Sequence, residues 1–217
     1  MNKLIFIVII FILLAFTKNK HNFNFKNSIN AKNRFSRAHA FYHFQKNETV
    51  VSIGAEDCEN EVIYGLMVDS VNFILENISP KVLSATQLNE AKGFYEKKFN
   101  RKTSCNYTIQ YGNDTSTLLP SNSVDKVIIE NTLHEFSKPL QMLNEVHRIL
   151  KPNGKAYLYE ILATSKYKMH KHCRKHLFSK ADLKTIAEQA NFKIIRIEKG
   201  EDEICDGCSS LVELSLF

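Results

Sequence analysis

Acidic side chains and one histidine stand where predicted strands end, and such positions are suited to binding a small molecule. Glu76 lies 22 residues after Gly54, near the end of the second predicted strand, where a carboxylate typically accepts both ribose hydroxyls of a nucleoside. Asp114 follows the third strand and is placed to meet an adenine amino group. His134 and Glu135 follow the fourth strand, and histidine is a common acid or base near neutral pH. The spacing of Glu76 and Asp114 therefore favours a nucleoside-containing ligand at these strand ends.

Strand and helix patterns alternate along the chain from residue 49 onward, and this alternation predicts a mostly parallel sheet with helices on both faces. The predicted fold class is α/β, a doubly wound Rossmann-like sheet whose last two strands form an antiparallel pair. Because ligands bind at the carboxyl ends of such strands, Gly54, Glu76, Asp114 and Glu130 are expected around one pocket. The seven predicted strands are residues 50–54, 71–78, 107–111, 124–130, 155–160, 192–197 and 211–217.

The segment from Leu119 to Glu160 combines several motifs in a specific order. It reads L-P-S-N-S-V-D-K-V-I-I-E-N-T-L-H-E-F, then a helical pattern, then E-V-H-R-I-L-K-P-N-G-K-A-Y-L-Y-E. In order, spacing and turn composition it resembles the fourth-strand to fifth-strand half of class I S-adenosylmethionine-dependent methyltransferases, and weaker similarity extends over about residues 48–217. The resemblance implies a seven-stranded sheet with a reversed terminal hairpin and S-adenosylmethionine as cofactor. It also implies methyl transfer to an unidentified acceptor, for which a small molecule is favoured.

The same resemblance implies roles for individual residues near the strand ends. Gly54 would face the cofactor, Glu76 would bind its ribose and Asp114 its adenine. Glu130 and Asn131 would line the floor beneath the methyl group. The complete implied cofactor-binding set is Gly54, Ala55, Glu76, Asn77, Asp114, Glu130 and Asn131.

His134 and Glu135 are the predicted catalytic pair, because they follow the floor residues and would touch the acceptor or act as a base. The alternative is that His134 only caps the next helix. Methyl transfer to a good nucleophile needs mainly alignment with the sulfonium, so the reaction does not depend on an obvious base.

The first loop departs from the family pattern. The family usually has acid-x-Gly-x-Gly-x-Gly here, whereas this chain reads Ser52-Ile53-Gly54-Ala55-Glu56-Asp57-Cys58 and retains only the first glycine. A side-chain residue forced into left-handed geometry costs about 1–2 kcal/mol. Glu56 or Asp57 could replace the acid that is missing at Ser52. The alternative function is therefore a noncatalytic binding protein on the same fold that has lost cofactor binding.

A second constellation lies between the fifth strand and the next helix, at residues 169–176, which read M-H-K-H-C-R-K-H. Together with Cys205-x-x-Cys208 it supplies enough ligand types for zinc. The spacing matches no standard zinc module, however, and the neighbouring Lys and Arg residues oppose a cation. We therefore interpret the segment as a basic loop on the acceptor side and expect no metal. If the body is exported, Cys205 and Cys208 could instead form a disulfide.

The excess positive charge is confined to the N-terminal part of the chain. The protein has 217 residues and a net charge of +6, and residues 1–47 contain eight of its 29 Lys and Arg residues and none of its 23 Asp and Glu residues. The remainder carries slightly more acidic than basic residues. A nucleic-acid groove needs basic residues clustered on the folded body, so no nucleic-acid partner is expected.

The hydrophobic run Leu4–Phe16 predicts membrane association. Its thirteen uncharged residues would span about 20 Å as a helix, which suits a signal peptide better than a full bilayer span. No A-x-A-like cleavage site follows it, which slightly favours an uncleaved anchor. The basic residues after the run would then keep the body on the cytoplasmic side. Cleavage would instead export the body.

The chain is accordingly divided into three parts. Residues 1–16 are the hydrophobic signal peptide or membrane anchor. Residues 17–47 are a basic, acid-free tether that could end in a short helix near residues 35–44. Residues 48–217 are the methyltransferase-like domain.

Overall fold

The computed structural model of the protein describes residues 28–200 and 209–217. It contains a seven-stranded α/β sheet with helices on both faces, so the predicted fold class is confirmed. The strands are β1 (Thr49–Ile53), β2 (Asn72–Asn77), β3 (Asn106–Tyr111), β4 (Val124–Glu130), β5 (Leu150–Ile161), β6 (Phe192–Lys199) and β7 (Ser209–Leu216). The helices are α1 (Ser28–Tyr42), α2 (Glu59–Met67), α3 (Ala85–Phe99), α4 (Pro139–Ile149) and α5 (Lys180–Gln189), with a 3-10 turn at Leu133–Glu135.

The sheet has the strand order β3-β2-β1-β4-β5-β7-β6. The first five strands pair in parallel, and β7 runs antiparallel between β5 and β6. The order reverses between β1 and β4, so the carboxyl ends of these two neighbours flank the point where ligands bind in doubly wound sheets.

Two apolar cores cover the two faces of the sheet. Helices α1, α2 and α3 pack on one face through residues such as Tyr42, Tyr64 and Tyr95. Helices α4 and α5 pack on the other face, where Leu143 and Leu183 are fully buried. Because successive side chains in a strand point to opposite faces, two neighbouring residues at the end of a strand place their side chains on different faces of the sheet.

Helix α1 begins within the segment predicted to be a tether and is longer than the predicted short helix. Ala38, Phe41 and Tyr42 are buried in the core of the body. The Phe41 and Tyr42 rings make edge contacts with Tyr157 of β5. The carboxyl-terminal half of α1 therefore packs on the folded body, because Ala38, Phe41 and Tyr42 complete one face of the sheet.

Two element boundaries differ from the sequence prediction. A Ser-Pro pair such as Ser79-Pro80 is typical of a helix start, but the N-cap of α3 is Ser84, whose side chain accepts a hydrogen bond from the Gln87 amide. Residues 151–154, whose Lys-Pro-Asn-Gly sequence is typical of a turn before the predicted strand 155–160, lie inside β5. There Leu150 pairs with Val124 and Lys155 with Lys126, so the intervening residues bulge out of the ladder.

None of the helices in the described part of the chain is long and apolar enough to cross a membrane. The hydrophobic run 4–16, residues 17–27 of the tether, and Cys205 and Cys208 lie outside the described residues. The membrane anchor and the disulfide stay predictions.

Candidate functional site

The loop after β1 turns at Gly54, which has a positive φ of 81°. The Gly54 and Ala55 amides both donate to the Glu76 carbonyl oxygen, at 2.9 and 3.0 Å, and tie this loop to the end of β2. A Cβ atom at Gly54 would lie 2.4 Å from Thr132 Cγ2, in the loop after β4. Both the left-handed backbone and this close approach require glycine here.

A pocket of about 310 Å³, here called the carboxyl-edge pocket, opens between this loop, the start of α2, the end of β4 and helix α1. Its volume is at the lower end of the range of about 300–1,000 Å³ found for small-molecule sites. Six of its residues carry carboxyl groups and one, Arg34, carries a guanidinium. The lining residues are Arg34, Ser52, Ile53, Gly54, Ala55, Glu56, Asp57, Glu59, Asn60, Glu61, Glu130, Asn131, Thr132 and Glu135.

A larger cleft of about 580 Å³ opens near the amino-terminal ends of β1 and β4. Its charged residues include Lys126 and Glu48, which pair with each other at 2.7 Å. Ligands of doubly wound sheets bind at the opposite, carboxyl edge. We therefore assign the candidate site to the carboxyl-edge pocket.

Glu130, at the end of β4, is the centre of a hydrogen-bond network in the wall of the pocket. It accepts from the hydroxyls of Tyr42 at 2.5 Å and Tyr64 at 2.6 Å. It also accepts from Asn60 Nδ2 at 2.8 Å and from the guanidinium of Arg34 at 3.3 Å. Glu130 therefore joins α1 and α2 to the sheet, and its carboxylate is already engaged by protein donors.

Glu61 of α2 places a carboxylate beside the position where the family usually has an acid on β1. Ser52 occupies that position and donates its hydroxyl hydrogen bond to Glu61 Oε1 at 2.5 Å. Burial raises the pKa of Glu61 to about 7, although its hydrogen bond with Ser52 favours the charged form. Burial also raises the pKa of the neighbouring Glu59 to about 8, helped by Asp57. A cationic ligand in the pocket would relieve this crowding of negative charge.

We expect the substitution Glu61→Gln to change how stability depends on pH. Burial makes the folded chain hold the Glu61 proton more tightly than the unfolded chain does, so this group's stabilising contribution falls as pH rises from about 4.5 to about 7. Urea unfolding at pH 5 and pH 8 measures this change. Between the two values, the free energy of unfolding of the variant should rise relative to that of the unaltered protein by on the order of 1–3 kcal/mol. The exposed control Glu90→Gln should follow the unaltered protein at both values. If the free energy of unfolding changed with pH by the same amount in Glu61→Gln and in the unaltered chain, this prediction would be contradicted.

Glu76 and Asn77 end β2 and lie on opposite sides of the sheet. Asn77 Nδ2 donates to the Ala55 carbonyl at 2.8 Å, so this side chain supports the first loop. The Glu76 side chain points towards the loop after β3, because a Cβ atom at Gly112 would lie 2.3 Å from Glu76 Oε1. This oxygen is buried and has no hydrogen-bond partner among the described residues. Burial raises the pKa of Glu76 to about 7.

The predicted cofactor-binding residues are therefore only partly gathered in one place. Gly54, Ala55, Glu130 and Asn131 line the carboxyl-edge pocket. Asn77 does not line the pocket, but its side chain donates a hydrogen bond to Ala55 in the loop after β1. Glu76 is enclosed next to Gly112, and Asp114 is exposed in the turn after β3. Their binding roles stay predictions. The predicted site residues did not include Arg34, Glu59, Asn60, Glu61 and Thr132, although the four acids within residues 56–61 indicate a local cluster of negative charge.

His134 is enclosed in the 3-10 turn and does not cap the next helix. Its Nδ1 is hydrogen-bonded to Glu160 Oε1 at the end of β5. The other oxygen of Glu160 accepts from the Leu133 amide at 3.1 Å, which orients the turn. Burial would lower the pKa of His134, but the bond and charge of Glu160 outweigh burial and raise it. The N-cap of α4 is Lys138, so the capping interpretation is wrong. Of the predicted catalytic pair, only Glu135 lines the pocket.

The central part of the chain is similar to a known protein family. Residues 72–158 match the family model described as a methyltransferase domain. This segment, from β2 into β5, is therefore similar to class I S-adenosylmethionine-dependent methyltransferases. The match begins at β2, so the altered loop after β1 lies outside the part that the family model matches. The family resemblance of the sequence is thus confirmed, and S-adenosylmethionine is the cofactor of the family.

Solved structures of methyltransferases share the fold of this methyltransferase domain. A SAM-dependent methyltransferase from Aquifex aeolicus is 17% identical with a TM-score of 0.61, covering 87% of this chain and 97% of the other. One from Methanosarcina mazei is 14% identical with a TM-score of 0.63, covering 80% and 95%. The mitomycin 7-O-methyltransferase MmcR is 14% identical with a TM-score of 0.62, covering 84% and 54%. In a comparison with curated proteins, no sequence matches the chain.

The residues of the methyltransferase domain fit S-adenosylmethionine in two respects. The unpartnered, buried Oε1 of Glu76 could accept a hydrogen bond from a ribose hydroxyl. The carboxyl groups of the pocket suit a ligand that carries a sulfonium and an ammonium against one carboxylate. The carboxyl-edge pocket therefore suits the charged part of this molecule, and Glu76, which lies outside that pocket, suits its ribose.

Proposed function

We propose that the protein transfers the methyl group of S-adenosylmethionine to a small-molecule acceptor in the carboxyl-edge pocket. The observation that carries this proposal is the pocket's excess of carboxyl groups at the carboxyl ends of β1 and β4. A positively charged methyl donor is attracted to such a pocket, and a polyanion such as a nucleic acid is repelled.

Different residues bind different parts of the cofactor and the acceptor. S-adenosylmethionine supplies an electrophilic methyl group on its sulfonium. Gly54 keeps the loop after β1 close to β4, and Glu61 takes the place of the acid that the family has at Ser52. Glu76 is the acceptor for ribose hydroxyls. Glu135, at the pocket rim, is the member of the predicted catalytic pair that can face an acceptor.

A small acceptor is favoured by the size of the pocket. About 310 Å³ must serve the reacting ends of both donor and acceptor, which excludes a large folded substrate from its interior. Among the structures that share the fold, MmcR is a methyltransferase of the small molecule mitomycin.

A noncatalytic binding protein on the same fold is the second candidate, and the altered loop favours it. Ala55, Glu56 and Asp57 follow Gly54, and Cys58 adopts a left-handed φ of 65° that usually belongs to glycine. Arg34 of α1 also pairs with Glu130 in the pocket wall, which places a positive charge where the donor's own charge would be bound.

Calorimetric titration of the full-length chain distinguishes the two candidates. S-adenosylmethionine should bind about tenfold more tightly than its demethylated product, because only the former carries the sulfonium charge. A tenfold difference in affinity corresponds to about 1.4 kcal/mol. Glu61→Gln should reduce this preference, and the exposed control Glu90→Gln should keep it. Absence of binding by either compound would support the noncatalytic candidate.

A further inference from the structure

Four side chains with metal-ligating atoms meet beside the carboxyl-edge pocket. One atom from each of His134, Glu135, His170 and Cys173 lies within 4.8 Å of the corresponding atoms of the others. The first two residues follow β4, and the other two belong to the loop between β5 and α5. This separation along the chain explains why the sequence spacing matched no standard zinc module.

His134 is held as metal-binding histidines usually are. Its side chain is fully enclosed, and its Nδ1 is bonded to the carboxylate of Glu160. Its Nε2 is buried, faces the cluster and has no hydrogen-bond partner in the part of the chain that the structure describes. A carboxylate on one ring nitrogen fixes the tautomer and leaves the other nitrogen as a ligand. The unpartnered Nε2 is the observation that points to a bound ion.

The loop that carries His170 and Cys173 is shaped to present both residues to His134. His170 Nδ1 lies 3.0 Å from Cys173 Sγ, and the His134 and His170 ring centres are 4.7 Å apart. A bridge between Met169 and His176 closes the loop.

The basic residues of this loop are more exposed than the cluster. Lys171, Arg174 and Lys175 are exposed, whereas His170 and Cys173 are half-buried. The positive charges that argued against a cation in the sequence analysis are therefore screened by solvent, which weakens their repulsion of a bound ion.

We propose that His134, Glu135, His170 and Cys173 bind one zinc-like divalent transition metal ion, with Glu160 orienting His134 from the outer shell. Two imidazoles, a thiolate and a carboxylate form a four-ligand set typical of Zn²⁺, and the thiolate disfavours Mg²⁺ and Ca²⁺. Glu135 also lines the carboxyl-edge pocket, so the ion would lie at its border. This inference does not depend on methyl transfer.

Metal titration of the full-length chain tests the proposal. Reduced, chelator-stripped protein should bind one equivalent of Zn²⁺ in competition with a chromophoric chelator. Co²⁺ in its place should give the absorption of a tetrahedral centre and a thiolate-to-metal charge-transfer band. Cys173→Ser should abolish that band, and Glu160→Gln should weaken Zn²⁺ binding by about 10–100-fold. His170→Gln should weaken it at least as much.

Two matched controls are available in the same chain. His172→Gln changes an exposed histidine of the same loop, and the double variant Cys205→Ser/Cys208→Ser removes the two cysteines of the C-x-x-C motif. Both should keep the affinity for Zn²⁺ and the Co²⁺ band. Cys173 and His170 lie in a surface loop, so circular dichroism should show folded variants. Absence of stoichiometric binding, a Co²⁺ band that survives Cys173→Ser, or an equal loss in either control would overturn the proposal.

Discussion

Replacing Glu130 with alanine should lower the free energy of unfolding by about 3–5 kcal/mol, the range observed when one partner of a buried ion pair is removed. The carboxylate of Glu130 accepts hydrogen bonds from Tyr42, Asn60, Tyr64 and Arg34. Its loss leaves two buried tyrosine hydroxyls without this acceptor and the guanidinium of Arg34 without its carboxylate. The damage should extend to the packing of α1, because Tyr42 and Arg34 are its contacts with the end of β4.

Urea unfolding measured by circular dichroism checks this prediction. Glu130→Gln should cost less than Glu130→Ala, because the amide oxygen can still accept hydrogen bonds although it carries no charge. Glu188→Ala removes a carboxylate from an exposed pair with Lys184 on α5, separated by 3.8 Å, and should cost no more than about 0.5 kcal/mol. If Glu130→Ala were as mild as Glu188→Ala, the network would have no role in stability.

Replacing Gly54 with alanine should lower the free energy of unfolding by about 2–5 kcal/mol, from about 1–2 kcal/mol of left-handed strain and about 1–3 kcal/mol of overpacking. The backbone at Gly54 has a φ of 81°, and a Cβ atom would lie 2.4 Å from Thr132 Cγ2 and 2.6 Å from Thr132 Oγ1. Relief of this clash would displace the loop after β1 from the loop after β4. Binding of S-adenosylmethionine should weaken with it, because both loops line the pocket.

A double-mutant cycle separates the cost of left-handed backbone strain from the cost of steric overlap with Thr132. Thr132→Ala removes both of the closest atoms, so the pair Gly54→Ala/Thr132→Ala should be less destabilised than the sum of the single variants, while the cost of left-handed strain remains. Gly93→Ala is the matched control, because Gly93 lies within α3 and its Cβ would meet nothing within 4 Å. That control should stabilise the protein by about 0.5–1 kcal/mol. If the changes in the free energy of unfolding of the two single variants simply added in the double variant, Thr132 would not be what excludes a side chain at Gly54.

The fold was largely predictable because its signals are local. Short apolar runs predicted the seven strands, and the motifs from Leu119 to Glu160 predicted the family. One helix start departs from its local signal. Ser79-Pro80 is typical of a helix N-terminus, but α3 begins after Ser84, which caps it through the Gln87 amide.

Local sequence patterns predicted the α/β class, the resemblance to methyltransferases and the position of Gly54 and Glu130 at strand ends, since strand periodicity and turn composition are properties of neighbouring residues. The tertiary structure alone decided which side chains share a site. Tyr42 and Glu130 are 88 positions apart, and His134 meets His170 only because the loop after β5 returns to the end of β4. Glu61 could not be recognised as the neighbour of Ser52 until α2 was packed on the sheet. Such contacts depend on how helices and loops dock, and side-chain burial across the whole core determines that docking.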